Sequence, residues 1–169
     1  LFVNTPSEYI GKVYLMNDNS NDTTLDCLKN LKNKYPNYIE LISNKRNLGF
    51  VKNTNKGMKL SSSEYVLLLN SDCLVSRNTI PKLIAHIQKD SKIGLISPVS
   101  NNAANVTLEM YDGFSYTQMD SLLERKFSGI NFDACTIVGN GLMITRECIN
   151  KGGYLDEAYG MGYGEETDY

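Results

Sequence analysis

Short continuous apolar runs alternate along the chain with segments in which apolar residues recur every three or four positions. The runs are "GKVYLMN" (11–17), "NYIELIS" (37–43), "EYVLLLN" (64–70) and "KIGLISP" (92–98). They are too short for helices and end on turn-forming or polar residues, so they predict strands. Between the first two, Leu25, Leu28, Leu31 and Tyr35 share one helical face, with Asn21, Asp22 or Thr23 as cap and Pro36 as stop. "VKNTNKGMKLSS" (51–62) predicts a short helix. Ile80, Leu83, Ile84 and Ile87 mark another, capped by Asn78, with Pro81 in the first turn, where its missing N–H is tolerated. Strands apolar on both faces need cover on both. The prediction is an α/β domain, a Rossmann-like, mostly parallel sheet flanked by helices.

Beyond Pro98 the periodicity loosens. "VSNNAANVTLEMYDGFSY" reads as loop and "TQMDSLLERKF" as helix, while "FDACTIVGNGLMITRECI" mixes strand and helix signals. The stretch 150–169 is rich in Gly and Tyr, ends in acids, and has no usable period.

Composition narrows the picture. A chain of 169 residues with net charge −2 is a single domain with a sizeable core, and nothing in it marks a nucleic-acid binder. No apolar run approaches the roughly 18 residues of a spanning helix. The opening "LFVNTPSEY" lacks the basic start and apolar stretch of a signal peptide. Cys27, Cys73, Cys135 and Cys148 form no CxxC pair, so reduced thiols in a cytoplasmic protein are expected. Residues 29–59 hold eight of the 17 Lys and Arg against one acid, Glu40. Lys29, Lys32 and Lys34 read as a solvated helix face; Lys45 and Arg46 fall in a loop at a strand end, where a cation meets phosphate or only solvent.

The candidate chemistry lies at the strand ends. In open parallel sheets, ligands bind beyond the carboxyl ends of the strands. Asp18 and Asp72 both follow runs too apolar to be anything but core. Such an acid either caps the next helix or faces a ligand. Asp22 suits the cap; Asp72 does not, because Cys73, Leu74 and Val75 separate it from Asn78. A carboxylate beside Asn70 and Ser71 offers hard oxygen ligands of the kind Mg²⁺ and Mn²⁺ accept, with water and substrate phosphate filling the other positions.

Four segments together resemble the family 2 glycosyltransferases, inverting enzymes of the A-type, nucleotide-diphospho-sugar-binding fold. "VYLMNDNSNDTT" (13–24) is similar to the family's first acidic turn, "NLGFVKNTNKG" (47–57) to its N-x-G-F segment, and "YVLLLNSDCLV" (65–75) to its DxD strand. "GNGLMITRECINKGGYLDEAYGMGYGEETDY" (139–169) is similar to the stretch running into its ED-x-D motif. The family pattern starts with a further strand, turn and helix and continues past the acidic motif, so the resemblance implies a truncated core. Glu166 stands where the family more often has Asp, and Asn70 where DxD has its first acid.

The resemblance implies one catalytic core over residues 1–169, with a nucleotide-binding part (1–97) and an acceptor-side part (98–169). It implies transfer of a sugar from a nucleotide-diphospho-sugar, UDP- or dTDP-linked, to a hydroxyl of a glycan or lipid-linked glycan. Asp18 would meet the nucleobase, and Arg46, Asn47 and Asn70 the rest of the donor. Asp72 would hold Mg²⁺ or Mn²⁺. Glu166 would be the base, with Glu165 and Asp168 orienting the acceptor or substituting for it. The family's biology implies polysaccharide or cell-envelope synthesis by a cytoplasmic protein, peripheral at the inner membrane face. Two rivals stand beside this reading. One is a sugar-nucleotidyltransferase on the same fold; the other is a fragment that binds nucleotide or glycan without turnover.

Overall fold

The computed structural model describes residues 1–103 and 107–169. Strands β1 (Val13–Asn17) and β2 (Ile39–Ser43) pair in parallel, Val13 opposite Ile39, and are joined by helix α1 (Thr24–Lys34). Helix α2 (Phe50–Leu60) leads to β3 (Tyr65–Leu68), and α3 (Thr79–Ile87) to the short β4 (Leu95–Ile96). After α4 (Tyr116–Phe127), strand β5 (Leu142–Thr145) runs antiparallel between β3 and β4. Helices α5 (Arg146–Gly152) and α6 (Glu165–Asp168) complete the described elements.

The α/β class, the parallel β1–β2 pair and helices α1 to α4 are as the periodicity predicts, while α5 and α6 fall in stretches it left unassigned. Strand β5, which periodicity left unassigned, is the most deeply buried. Its residues alternate: Leu142 and Ile144 join Val51, Met58, Val66, Ile149 and Leu155 on one face, while Met143 joins Val75, Ile80, Leu83 and Ile87 on the other. Side chains on successive strand residues point to opposite faces, so four residues of β5 bind α2 and α5 to one side and α3 to the other.

Caps form where local chemistry allows. Asp22 Oδ1 accepts from the Thr24 N–H at 2.9 Å at the start of α1. Ser115 and Gln118 close a capping box on α4. Asn78 occupies the cap position of α3 but in a left-handed conformation (φ +61°), with no side-chain cap bond.

Helix α2 positions the site. Its Gly57 faces Met16 of β1, where an added Cβ would sit 3.4 Å from Met16 Cγ. Its Val51 and Met58 belong to the core over β3 and β5. Asn55, 2% exposed, donates to Leu155 O (2.8 Å) and accepts from Leu155 N–H (3.0 Å). One side chain thus satisfies both backbone groups of a residue 100 positions away and moors the C-terminal stretch to α2.

Candidate functional site

At the end of β1 the chain turns, and the loop after β2 is drawn against it by Asp18. Its Oδ1 accepts from Leu48 N–H (2.9 Å) and Asn44 Nδ2 (2.8 Å), its Oδ2 from Leu48 N–H (3.0 Å) and Gly49 N–H (2.9 Å). Asn44, 7% exposed, also donates to Asn53 Oδ1 (2.8 Å) and accepts from Lys56 Nζ (2.6 Å). A carboxylate offers about four lone-pair sites. Three protein donors, with the Leu48 N–H shared between the two oxygens, make four contacts and fill those sites. Asn47 Oδ1 accepts from Gly49 N–H at 2.9 Å, and Arg46 lies exposed on the same loop.

At the end of β3, Asn70 and Asp72 are exposed beyond the sheet. Cys73 N–H bonds back to Asn70 O at 3.3 Å, which makes the turn that presents Asp72. The Cys73 thiol lies 2.6 Å from Asn140 Oδ1 and 3.5 Å from Asp72 Oδ1. Burial pushes this thiol up from its ordinary range, so it stays protonated and donates. Asn70 and Asp72 line a cleft of about 690 Å³ whose walls include Leu74, Val99, Tyr116 and Asn140. Among the described residues, that lining contains Asp72 and Asp120 but no lysine or arginine.

The third group is the acidic end. Gly164 (φ +99°) opens the short helix α6. Glu165 is 4% exposed, and its Oε2 has no hydrogen-bond partner. Glu166 is half-buried, and its Oε2 is likewise buried and unpartnered. Asp168 is exposed. Tyr169 secures the end: its hydroxyl donates to Gly153 O at 2.9 Å, and burial pushes its ionisation up to about 12. Tyr163, just before the acids, holds φ +76° and is 97% exposed. A bulky residue in the left-handed region with its ring in solvent is the kind of strain that collects at functional sites.

Two contacts tie these groups together. Gly49 follows the loop Asp18 clamps, and an added Cβ there would meet Met161 Sδ at 2.8 Å and Gly160 O at 3.3 Å. At Gly162 it would meet Phe50 Cβ at 3.5 Å and Glu165 Oε1 at 3.8 Å. The glycine-rich stretch thus lies on the start of α2, and its glycines permit the approach. On the other side, Asn140 holds Cys73 beside Asp72, while Gly139 abuts Glu166. Asp18, Arg46 and Asn47 form one group, Asn70 and Asp72 another, and Glu165 and Glu166 touch the supports of both. Asp168 joins none. Residue types alone did not mark Asn44, Asn53, Lys56 and Asn140. The available signal was the density of Asn and Lys in "SNKRNLGFVKNTNK", too polar for a loop and helix that pack this closely.

An α/β layer with acids beyond its strand ends defines the A-type glycosyltransferase class, and solved structures bear out the fold. GalNAc-T7 with UDP, GalNAc and Mn²⁺ superposes with a TM-score of 0.73 at 17% identity, covering 99% of this chain and 35% of that one. The mannosyltransferase PcManGT from Pyrobaculum calidifontis, in complex with GDP-Man and Mn²⁺, gives 0.64 at 15% identity, covering 92% and 40%. The model of glycosyl transferase family 2 matches residues 8–149, and the chain belongs to that family. An uncharacterized glycosyltransferase of Haemophilus influenzae is 32% identical over 82 residues, 48% of this chain and 25% of that protein. A putative polypeptide N-acetylgalactosaminyltransferase 13 of Drosophila melanogaster is 23% identical over 187 residues, 99% of this chain and 33% of that protein. The chain thus spans a quarter to a third of the length of these curated relatives. Among the described residues, no helix is long and apolar enough to cross a membrane.

Proposed function

We propose that this chain forms the donor- and acceptor-binding core of a glycosyltransferase that moves a sugar from a nucleotide-diphospho-sugar to an acceptor hydroxyl with inversion. The observation that carries this reading is a pair of acidic stations: Asp72, exposed at the tip of β3 and lining the cleft beside Asn140, and the half-buried Glu166. Family membership gives those stations their chemistry.

The donor set at Asp72 fits Mg²⁺ or Mn²⁺. It supplies one exposed carboxylate and the neighbouring Asn70 amide oxygen, and the described residues contain no cluster of three metal-binding side chains. That suits a hard cation sharing its coordination with water and diphosphate oxygens. Such an ion would neutralise charge on the departing nucleoside diphosphate. Asp18 braces the loop that carries Arg46 and Asn47, and a nucleobase N–H would reach it by displacing one of the bonds it already accepts. Two relatives of the same fold were solved with UDP and with GDP-Man, which supports a nucleotide-linked donor. The acidic, largely apolar cleft beside Asp72 suits an uncharged acceptor better than a second phosphate.

In the transfer, Glu166 takes the proton of the acceptor hydroxyl as that oxygen attacks the anomeric carbon. One C–O bond forms as the bond to the diphosphate breaks on the opposite face, and inversion follows. Tyr163 offers an exposed aromatic face for a sugar ring. Incubation with UDP-, dTDP- and GDP-sugars and Mn²⁺ tests the reading, with nucleoside diphosphate release and product configuration followed by NMR. Release from one donor class, inverted product, and loss of both in Asp72→Ala are expected. Release that persists in Asp72→Ala, or retained configuration, would overturn it.

A further inference from the structure

We propose that Glu165 is a positioning residue held as an un-ionised carboxylic acid, so that the Glu165–Glu166 pair carries one negative charge rather than two when an acceptor binds. The inference deepens the proposed transferase reading and assigns Glu165 a role different from that of a second base.

The geometry leaves little alternative. Glu165 is 4% exposed, and water does not reach its unpartnered Oε2. An isolated carboxylate removed from water is strongly disfavoured, and a buried acid without a cation neutralises instead. Among the described residues no lysine or arginine forms an ion pair with Glu165. From α2 the group packed nearest is Phe50, reached across Gly162, and the charged group acting on Glu165 from α6 is Glu166. Burial first, then repulsion from Glu166, pushes the Glu165 carboxyl above its ordinary range; its own backbone N–H and that of Tyr163 offset this in part. Both side chains carry a buried oxygen without a partner, so two charges there would be doubly uncompensated. Carboxyls crowded in this way share a proton.

The consequence for transfer is an order of events. Glu166 takes the acceptor proton, and Glu165 adds no second charge beside it. Glu165 needs no charge, only the shape and hydrogen-bonding capacity of a neutral acid. Glutamine supplies both.

Infrared difference spectroscopy on the folded chain, wild type minus Glu165→Gln, tests this without requiring turnover. A protonated-carboxyl C=O band at about pH 7, absent from Glu165→Gln and retained in Glu166→Gln, is expected. Absence of the band from the wild type would overturn the proposal. Thermal unfolding gives a second measure. A carboxyl harder to ionise when folded contributes stability that is full below the ordinary Glu range and is lost as pH rises through the raised value. Glu165→Gln should therefore gain on the wild type between about pH 5 and about pH 8. A flat or reversed difference would contradict the proposal. In a transfer assay, Glu166→Gln should lower kcat by about 100-fold or more. Inactivity of every variant would count against the transferase reading and leave the infrared result to decide this one.

Discussion

Asp18 and Glu165 are both acids beside α2, and the fold treats them in opposite ways. Asp18 closes the strand-end loop with donors from Leu48, Gly49 and Asn44. Glu165 is more deeply buried, yet one of its oxygens has no donor at all. The strand-end loop around Asp18 is therefore a satisfied polar framework, and the acidic end is an open one. A satisfied acid rigidifies its surroundings; an unsatisfied one is a cost the fold bears where chemistry is done.

Substitutions sharpen that contrast. The largest effect belongs to Glu166→Gln, which removes the proton acceptor and should lower kcat by about 100- to 10,000-fold with the unfolding midpoint little changed. Single-turnover transfer read beside urea unfolding checks both parts. On the framework side the order reverses. Asp18→Ala leaves the Leu48 N–H without an acceptor, while Gly49 N–H keeps Asn47 Oδ1, and should destabilise the chain by about 1–3 kcal/mol. Asp72→Ala, at an exposed turn, should stay within about 0.5 kcal/mol. If the two variants unfold alike, Asp18 is not the brace described. Gly49→Ala tests the join between the halves. Its φ of +81° and the approach of Gly160 and Met161 predict a loss of about 1–3 kcal/mol, seen in urea unfolding. It should also raise the fluorescence accessibility of Tyr159, which is packed against Gly164.

The sequence made the framework half legible and the acidic end only partly so. Continuous apolar runs ending in Asp18 and Asp72 carry their own geometry, because a strand covered on both faces has nowhere to place an acid except its tip. The partners of Asp18 were not legible, since two of the three donors are backbone N–H groups that any sequence offers. Strand β5 was hidden by the glycines just before it, Gly139 and Gly141, and by its pairing: its neighbours in the sheet lie far away in sequence, and an antiparallel insertion leaves no local period. "EETD" marked the acids as candidates, yet a solvated acidic end reads the same way. Glu165 is buried because Gly160 and Gly162 let the chain fold back on α2, a tertiary event with no local signature. The mooring of Leu155 by Asn55 is what keeps that fold-back in place.

The most direct test of the division between framework and open acids is calorimetric titration of UDP, dTDP and GDP, with and without Mn²⁺, into the wild type and Asp72→Ala. The account predicts metal-dependent binding of one nucleotide by the wild type, and its loss in an Asp72→Ala chain that unfolds at the same urea concentration. Equal nucleotide affinity in the two proteins, with or without Mn²⁺, would contradict it.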